Sequence, residues 1–391
     1  MKSNYNKLSR IITESDENNP NDSSKEASII RLKRGLSSKE KANTKGETKM
    51  TNKERILKTL AFKKTDRIPF SILNGQMWIA ARYGLTMASL LDLPDAGAQL
   101  LVDAYKEIGT EILTSGCAAA WPMMAVMGGE VDMNVISAEI TKHPLSALSD
   151  IDKYDVKQVI ADMKKDYYYQ RTLVQMRKMR ELVGDEYMIG GGFFGPFTMA
   201  AQMLGVEDFM VELIEGDEDE IIKVVDFASE IVIAYLEDLI ENGLDLITVP
   251  EPVASGDLIS IADYEKFVLP ADLKVKERLK DKCSAYLVHI CGRTGHLVKK
   301  VAESGFSVFS VDSIDMVKAQ QDSAGRCALF GNLSPAQILG SLTADEVYEI
   351  AKKLCAEMKP FGGFILAPGC DLAPNIPLEN LKAMAKAARE S

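Results

Sequence analysis

Ser284-Ala285-Tyr286-Leu287-Val288-His289-Ile290-Cys291-Gly292 is an apolar run that reads as a buried β-strand stopped by a glycine. Side chains two apart on a strand point to the same face, so His289 and Cys291 share a face at the strand's C-terminal end. A second run, Gly363-Phe364-Ile365-Leu366-Ala367, ends in Pro368, Gly369 and Cys370. One imidazole and two thiolates make a three-ligand zinc set, which leaves a fourth position open for chemistry. The plainer reading is core filler, because free Cys is among the most buried residue types. The chain holds 6 Cys and 3 His, so neither type is abundant enough for the pairing to be trivial.

Runs of the same kind recur from residue 66 onward and alternate with helical patterns, as a parallel α/β fold requires. Eight candidate strands are legible: Ile68–Leu73, Glu111–Ser115, Tyr187–Gly192, Leu244–Val249, Ala285–Ile290, Phe306–Val311, Ala328–Phe330 and Phe364–Ala367. Helical patterns lie between them, among them Tyr167–Val183, Asp219–Glu241, Tyr264–Lys280 and Ala344–Met358. No GxGxxG opens a helix after the first strand, so a Rossmann half is unsupported. The expected fold is α/β, a single (β/α)8 TIM-type barrel. The stretch from Trp121 to Asp162 is an insertion without an assigned place.

Barrel enzymes work at the C-terminal ends of their strands. His289 and Cys291 end the fifth candidate strand and Cys370 follows the eighth. Asp312 ends the sixth, Asn332 follows the seventh, and Glu251 and Asp257 follow the fourth. Gly195-Pro196-Phe197-Thr198 follows the third. All of these are expected on one rim.

The composition, 46% hydrophobic and 26% charged with a net charge of -11, is that of a soluble globular chain. No run approaches the roughly 20 apolar residues of a membrane span, and the acidic balance argues against nucleic acid as a partner. The N-terminus has no apolar core of a secretory signal, and the cysteines lack a disulfide framework. A reducing, cytoplasmic location is expected. Residues 1–49 differ from the rest, with 11 Lys and Arg, 7 Asp and Glu, and Tyr5 as their one aromatic. They read as a disordered tail, in which Arg31-Leu32-Lys33-Arg34 is solvated rather than a docking element. The barrel is expected over 50–391, starting with a helix from Thr51, its N-cap, to Lys64. Met50 is a candidate start of translation.

Several stretches match a known pattern. They are Asp66-Arg67-Ile68-Pro69-Phe70, Gly195-Pro196-Phe197-Thr198, Pro252-Val253-Ala254-Ser255-Gly256-Asp257-Leu258-Ile259-Ser260, His289-Ile290-Cys291-Gly292, Gly331-Asn332-Leu333-Ser334-Pro335, Ile365-Leu366-Ala367-Pro368-Gly369-Cys370 and Pro377-Leu378-Glu379-Asn380-Leu381. From Thr51 to its end the chain resembles the uroporphyrinogen decarboxylase superfamily. Within it, the chain is similar to the zinc-dependent methylcobalamin:coenzyme M methyltransferases and related corrinoid-protein methyltransferases. The resemblance implies Zn2+ on His289, Cys291 and Cys370, and methyl transfer from a methylated corrinoid protein (methylcobalamin) to a small thiol such as coenzyme M. Alternatives are the demethylating direction, which would load the corrinoid, a non-catalytic corrinoid-binding role with structural zinc, and uroporphyrinogen decarboxylation. True decarboxylases carry an Arg-Gln-Ala-Gly-Arg stretch. Here Asn74 to Tyr83 offers one arginine, Arg82, too few for eight carboxylates. Two departures stand out: Glu251 where an Asp is expected, and Asp371 after Cys370 where a small or apolar residue is commoner.

These expectations assign roles. Metal coordination would deprotonate the acceptor thiol. His289 would be neutral, its free ring nitrogen held by an acceptor, with Asp312 a catalytic-site candidate for that task or a simple helix cap. Glu251 is the second catalytic candidate, as a displaceable ligand or a proton acceptor, against a rim salt bridge. Asn332 and Asp257 are candidates for cofactor or substrate contacts, with capping at Ser334-Pro335 the alternative for Asn332. His143 and His296 are not expected as ligands. Met123-Met124-Ala125-Val126-Met127 reads as core, with corrin contact the alternative. No His is preceded by Asp in an Asp-x-His-x-x-Gly pattern, so the corrinoid is expected on a separate partner protein.

Overall fold

The computed structural model describes residues 50–116 and 121–391; the tail expectation falls outside them. The strands in chain order are β1 (Ile112–Thr114), β2 (Glu130–Asp132), β3 (Glu139–Lys142), β4 (Met188–Gly192), β5 (Leu246–Pro250), β6 (Ala285–His289), β7 (Val308–Ser310), β8 (Ala328–Leu333) and β9 (Phe364–Pro368). β2 and β3 form a separate antiparallel ribbon. The other seven make one sheet in sequential order, every neighbouring pair parallel.

The eighth stave is short. Phe70 bridges Leu366 of β9 in parallel. Leu366 N–H donates to Pro69 O at 2.9 Å, Ser71 N–H to Leu366 O at 3.0 Å, and Glu111 N–H to Phe70 O at 3.0 Å. These bonds join β9 to β1 and close the ring. The predicted strand Ile68–Leu73 is reduced to this bridge, and Pro69 is one reason, since it has no N–H to give a ladder. The expected TIM-type barrel is thus the observed fold.

Alternation along the strands divides the core in two. Ile112, Met188, Leu246, Ala285, Leu287, Val308, Phe330, Ile365 and Ala367 fill the barrel interior. Their sequence neighbours, such as Ile247, Val249, Tyr286, Val288, Phe309 and Leu366, pack under the helices. In β6 the inward series Ala285, Leu287 reaches His289 as its last member. The register sets His289 beside Pro250 of β5 and Ser310 of β7.

The helices Tyr167–Val183 and Ala344–Met358 occur as predicted, and the predicted 219–241 helix runs Glu218–Glu241 behind the N-cap Asp217. Two helices depart from expectation. The first spans Asn52–Leu60 with a Thr51–Glu54 capping box and stops short of Lys64. Phe62 takes a φ of 53°, and Phe62 N–H to Thr59 O and Lys63 N–H to Lys58 O close a Schellman-type end. The predicted 264–280 helix divides into a π-turn, Tyr264–Val268, and a helix, Leu269–Leu279, because Pro270 cannot donate into an unbroken helix. The insertion supplies a helix Trp121–Val126, the β2–β3 ribbon, a 3₁₀ turn Leu148–Lys153 and a helix Val156–Met163. Its Met123, Met124 and Met127 are buried core. No described helix is long and apolar enough to cross a membrane.

Candidate metal centre

β6 delivers His289 at its inward-facing end and Cys291 two residues later; the turn after β9 delivers Cys370. β7 and β8 stand between those two strands, so the three side chains meet across the barrel mouth. His289 Nε2 lies 3.2 Å from Cys291 Sγ and 3.7 Å from Cys370 Sγ, and the two sulfurs are 3.5 Å apart. Tetrahedral zinc with Zn–S of about 2.3 Å and Zn–N of about 2.0 Å separates its sulfurs by about 3.8 Å and a nitrogen from a sulfur by about 3.5 Å. The observed triangle lies within a few tenths of an ångström of that geometry, and the donor chemistry suits the ion. Among the described residues this is the one cluster of His, Cys, Asp or Glu drawn so close.

His289 Nδ1 lies 3.0 Å from Ser310 Oγ, across the β6–β7 register. That contact leaves Nε2 to face the sulfurs. Asp312 is not the partner of this ring; its Oδ2 accepts from Gly292 N–H at 3.3 Å, bracing the turn behind Cys291. The two sulfurs share a hydrogen bond, which lowers the pKa of Cys370 and raises that of Cys291. The remaining described cysteines are of another kind. Burial pushes Cys327 and Cys355 up to about 12 and raises Cys283.

The other rim candidates fall around the triangle. Glu251 is fully buried, and its carboxylate accepts from Phe197 N–H at 3.0 Å and Thr198 N–H at 2.7 Å. It thereby caps the helix Pro196–Leu204 from β5. Gly195 is what permits this, since a Cβ there would stand 2.1 Å from Glu251 Oε1. Burial pushes Glu251 up to about 7 against the pull of those N–H groups. Asp257 holds Arg293 Nε at 2.6 Å and Arg293 N–H at 3.2 Å, clamping the loop after Cys291. Asn332 donates to Asp312 O at 2.7 Å and Ile314 O at 2.9 Å, strapping the loop after β7. His143 Nδ1 lies 2.7 Å from Gln202 O, outside the cluster, and His296 is not part of it either.

The triangle lies on one wall of a cleft of about 270 Å³. Trp121, Ser137 and Ala138 of the insertion line the cleft together with Met77, Met87, Phe193 and Phe194. Asn74 and Asp371 stand beside the donors. Enclosure by the walls and the neighbouring Cys370 sulfur raise the Asp371 pKa, while the Asn74 amide pulls it down. The sequence reading had no means to find Ser310, which depends on strand register, or the aromatic wall, which depends on the insertion's fold.

A parallel barrel with a His-Cys-Cys triangle at its carboxyl rim defines a class: TIM-type barrels with three donor side chains gathered beside a cleft. The chain belongs to the uroporphyrinogen decarboxylase (URO-D) family, whose profile matches residues 51–391. It is 28% identical over 350 residues to the methylcobamide:CoM methyltransferase MtaA of Methanosarcina barkeri, covering 88% of this chain and 99% of that one. It is 26% identical over 360 residues to the methylcobamide:CoM methyltransferase MtbA of Methanosarcina acetivorans, covering 88% and 98%. Among solved structures, a methyltransferase from Methanosarcina mazei superposes with a TM-score of 0.77 at 28% identity, covering 87% of this chain and 99% of that chain.

Proposed function

We propose that this methyltransferase moves a methyl group from a methylated corrinoid, carried by a separate protein, to a small thiol, with Zn2+ held by His289, Cys291 and Cys370. The observation that carries the reading is the donor triangle, which has tetrahedral spacing and opens onto a cleft. Bound there, zinc would supply Lewis acidity that keeps the acceptor sulfur deprotonated near neutral pH. Ser310 fixes the His289 ring so that Nε2 points to the metal position. Cys291 and Cys370 contribute two negative charges, which leave the incoming sulfur electron-rich. The loop braces from Asp257, Asp312 and Asn332 hold the donors in place. The apolar walls exclude water from the reacting sulfur. In the transfer the S–C bond forms as the Co–C bond breaks, the electron pair remains on cobalt as Co(I), and the thiol proton leaves to solvent.

The same cleft speaks against a uroporphyrinogen substrate. Among the described residues no Lys or Arg lines it, and Arg82 is committed to Glu107 at 2.9 and 3.2 Å. Eight carboxylates would find no basic side chain among the described lining residues.

X-ray absorption at the zinc edge, with and without added thiol, tests the reading. An open catalytic site gains one sulfur neighbour on thiol addition; an unchanged spectrum would point to a closed, structural site. Metal analysis supplies the residue assignment: Cys291→Ser and Cys370→Ser should lose most of their zinc, whereas Cys327→Ser and Cys355→Ser should keep it. The reverse pattern would mean that other thiols bind the ion.

A further inference from the structure

The charge of the cleft bears on the acceptor's tail. Besides the three donors, the one ionisable side chain among its described lining residues is Asp371. It follows Cys370 directly, yet its carboxyl is not part of the donor triangle. Its side chain is exposed to the cleft, with the neutral Asn74 amide beside it. The nearby arginines are engaged elsewhere, Arg82 with Glu107 and Arg293 with Asp257, and neither lines the cleft. The rest of the wall is apolar or uncharged, including Met77, Trp121 and Phe193.

A thiol entering the fourth metal position must leave its tail in this cleft. With the two ligand thiolates balanced by Zn2+, a sulfonate or carboxylate tail would meet Asp371 with no Lys or Arg in the described lining to offset it, and like charges brought together at an interface are strongly unfavourable. An ammonium tail would instead find in Asp371 an acidic partner on the cleft wall. Resting on the thiol-acceptor reading above, we infer that the acceptor is a small thiol whose tail carries an ammonium group, held by Asp371, and that anionic thiols are disfavoured.

Three thiols with the same two-carbon spacing test this: 2-aminoethanethiol, 2-mercaptoethanol and 2-mercaptoethanesulfonate. Each is titrated calorimetrically into the zinc-loaded full chain and assayed for kcat/KM with methylcobalamin, using wild type, Asp371→Asn and Asp371→Glu. The tails also alter thiol acidity, so the readout is how each ratio to the neutral thiol changes on substitution. The ammonium-to-neutral ratio should fall at least about tenfold in Asp371→Asn, the sulfonate-to-neutral ratio should rise, and Asp371→Glu should keep the ammonium preference. Unchanged ratios, or a wild-type preference for the sulfonate, would overturn the inference while leaving methyl transfer to thiols intact. Loss of zinc from Asp371→Asn would place Asp371 in the metal set and also overturn it. If none of the three thiols binds or is methylated, the thiol-acceptor reading itself falls, and this inference with it.

Discussion

Ser310 sits behind His289 at 3.0 Å, and such partners of metal-bound imidazoles set ring orientation and basicity. Ser310→Ala should therefore weaken zinc binding by about 10- to 100-fold, measured by competition with a chromogenic chelator. Affinity equal to wild type would show that the ring is held by packing alone. The sulfur pair gives a second prediction. The Cys291–Cys370 hydrogen bond raises the Cys291 thiol and lowers the Cys370 thiol, the pattern expected of two sulfurs that share one proton. Zinc uptake should displace about one proton from the two thiols, read by calorimetry in buffers of different protonation enthalpy. Release of two would mean that the sulfurs titrate independently. The meeting of His289, Cys291 and Cys370 was legible in sequence because strand alternation and strand-end position put His289 and Cys291 on one face and Cys370 on the same rim. Ser310 was not, because which residue stands opposite His289 is set by the β6–β7 register. Asp312, a candidate for that role or for a simple cap, stands two residues further along and accepts from Gly292 N–H instead.

Elements show where local sequence and tertiary context diverge. Thr51, Asp217 and Thr343 cap helices through their side chains, chemistry that reads directly from sequence. Pro69 and Pro270, residues without an N–H, cut a predicted strand and a predicted helix short. Glu251 was legible as a rim carboxylate but not as the cap of a helix from another part of the chain. The helix Leu269–Leu279 carries Asp272, fully buried and without a hydrogen-bond partner among the described residues, as are the hydroxyls of Tyr264 and Tyr286. Burial, then the Glu251 charge, raises the Asp272 pKa well above the usual carboxylate range. The native state therefore binds more protons than the unfolded chain above the unfolded pKa, and stability falls as pH rises from there through the native pKa. Asp272→Asn should flatten that fall. We expect little change in Tm near pH 4 and a rise of about 2 °C or more near pH 9. A Tm lower than wild type at both pH values would show that the carboxyl makes a needed bond.

At the scale of the molecule, the barrel brings together residues that lie 81 positions apart, His289 and Cys370, and the insertion helps to wall the cleft over them. The eight-stave plan was legible from alternating apolar runs. The closure through one bridge at Phe70 and the insertion's contribution to the cleft were not, since both depend on contacts between distant segments. The most direct test of the account is a spectroscopic assay of the zinc-loaded protein with methylcobalamin and a small thiol. The account predicts decay of the methylcobalamin spectrum with stoichiometric methylated thiol. The rate should fall by about 100-fold or more in Cys370→Ser and after chelation, because an uncoordinated thiol stays largely protonated at pH 7. An undiminished rate in the chelated protein, or no demethylation with any thiol even when a cognate corrinoid protein is supplied, would contradict it.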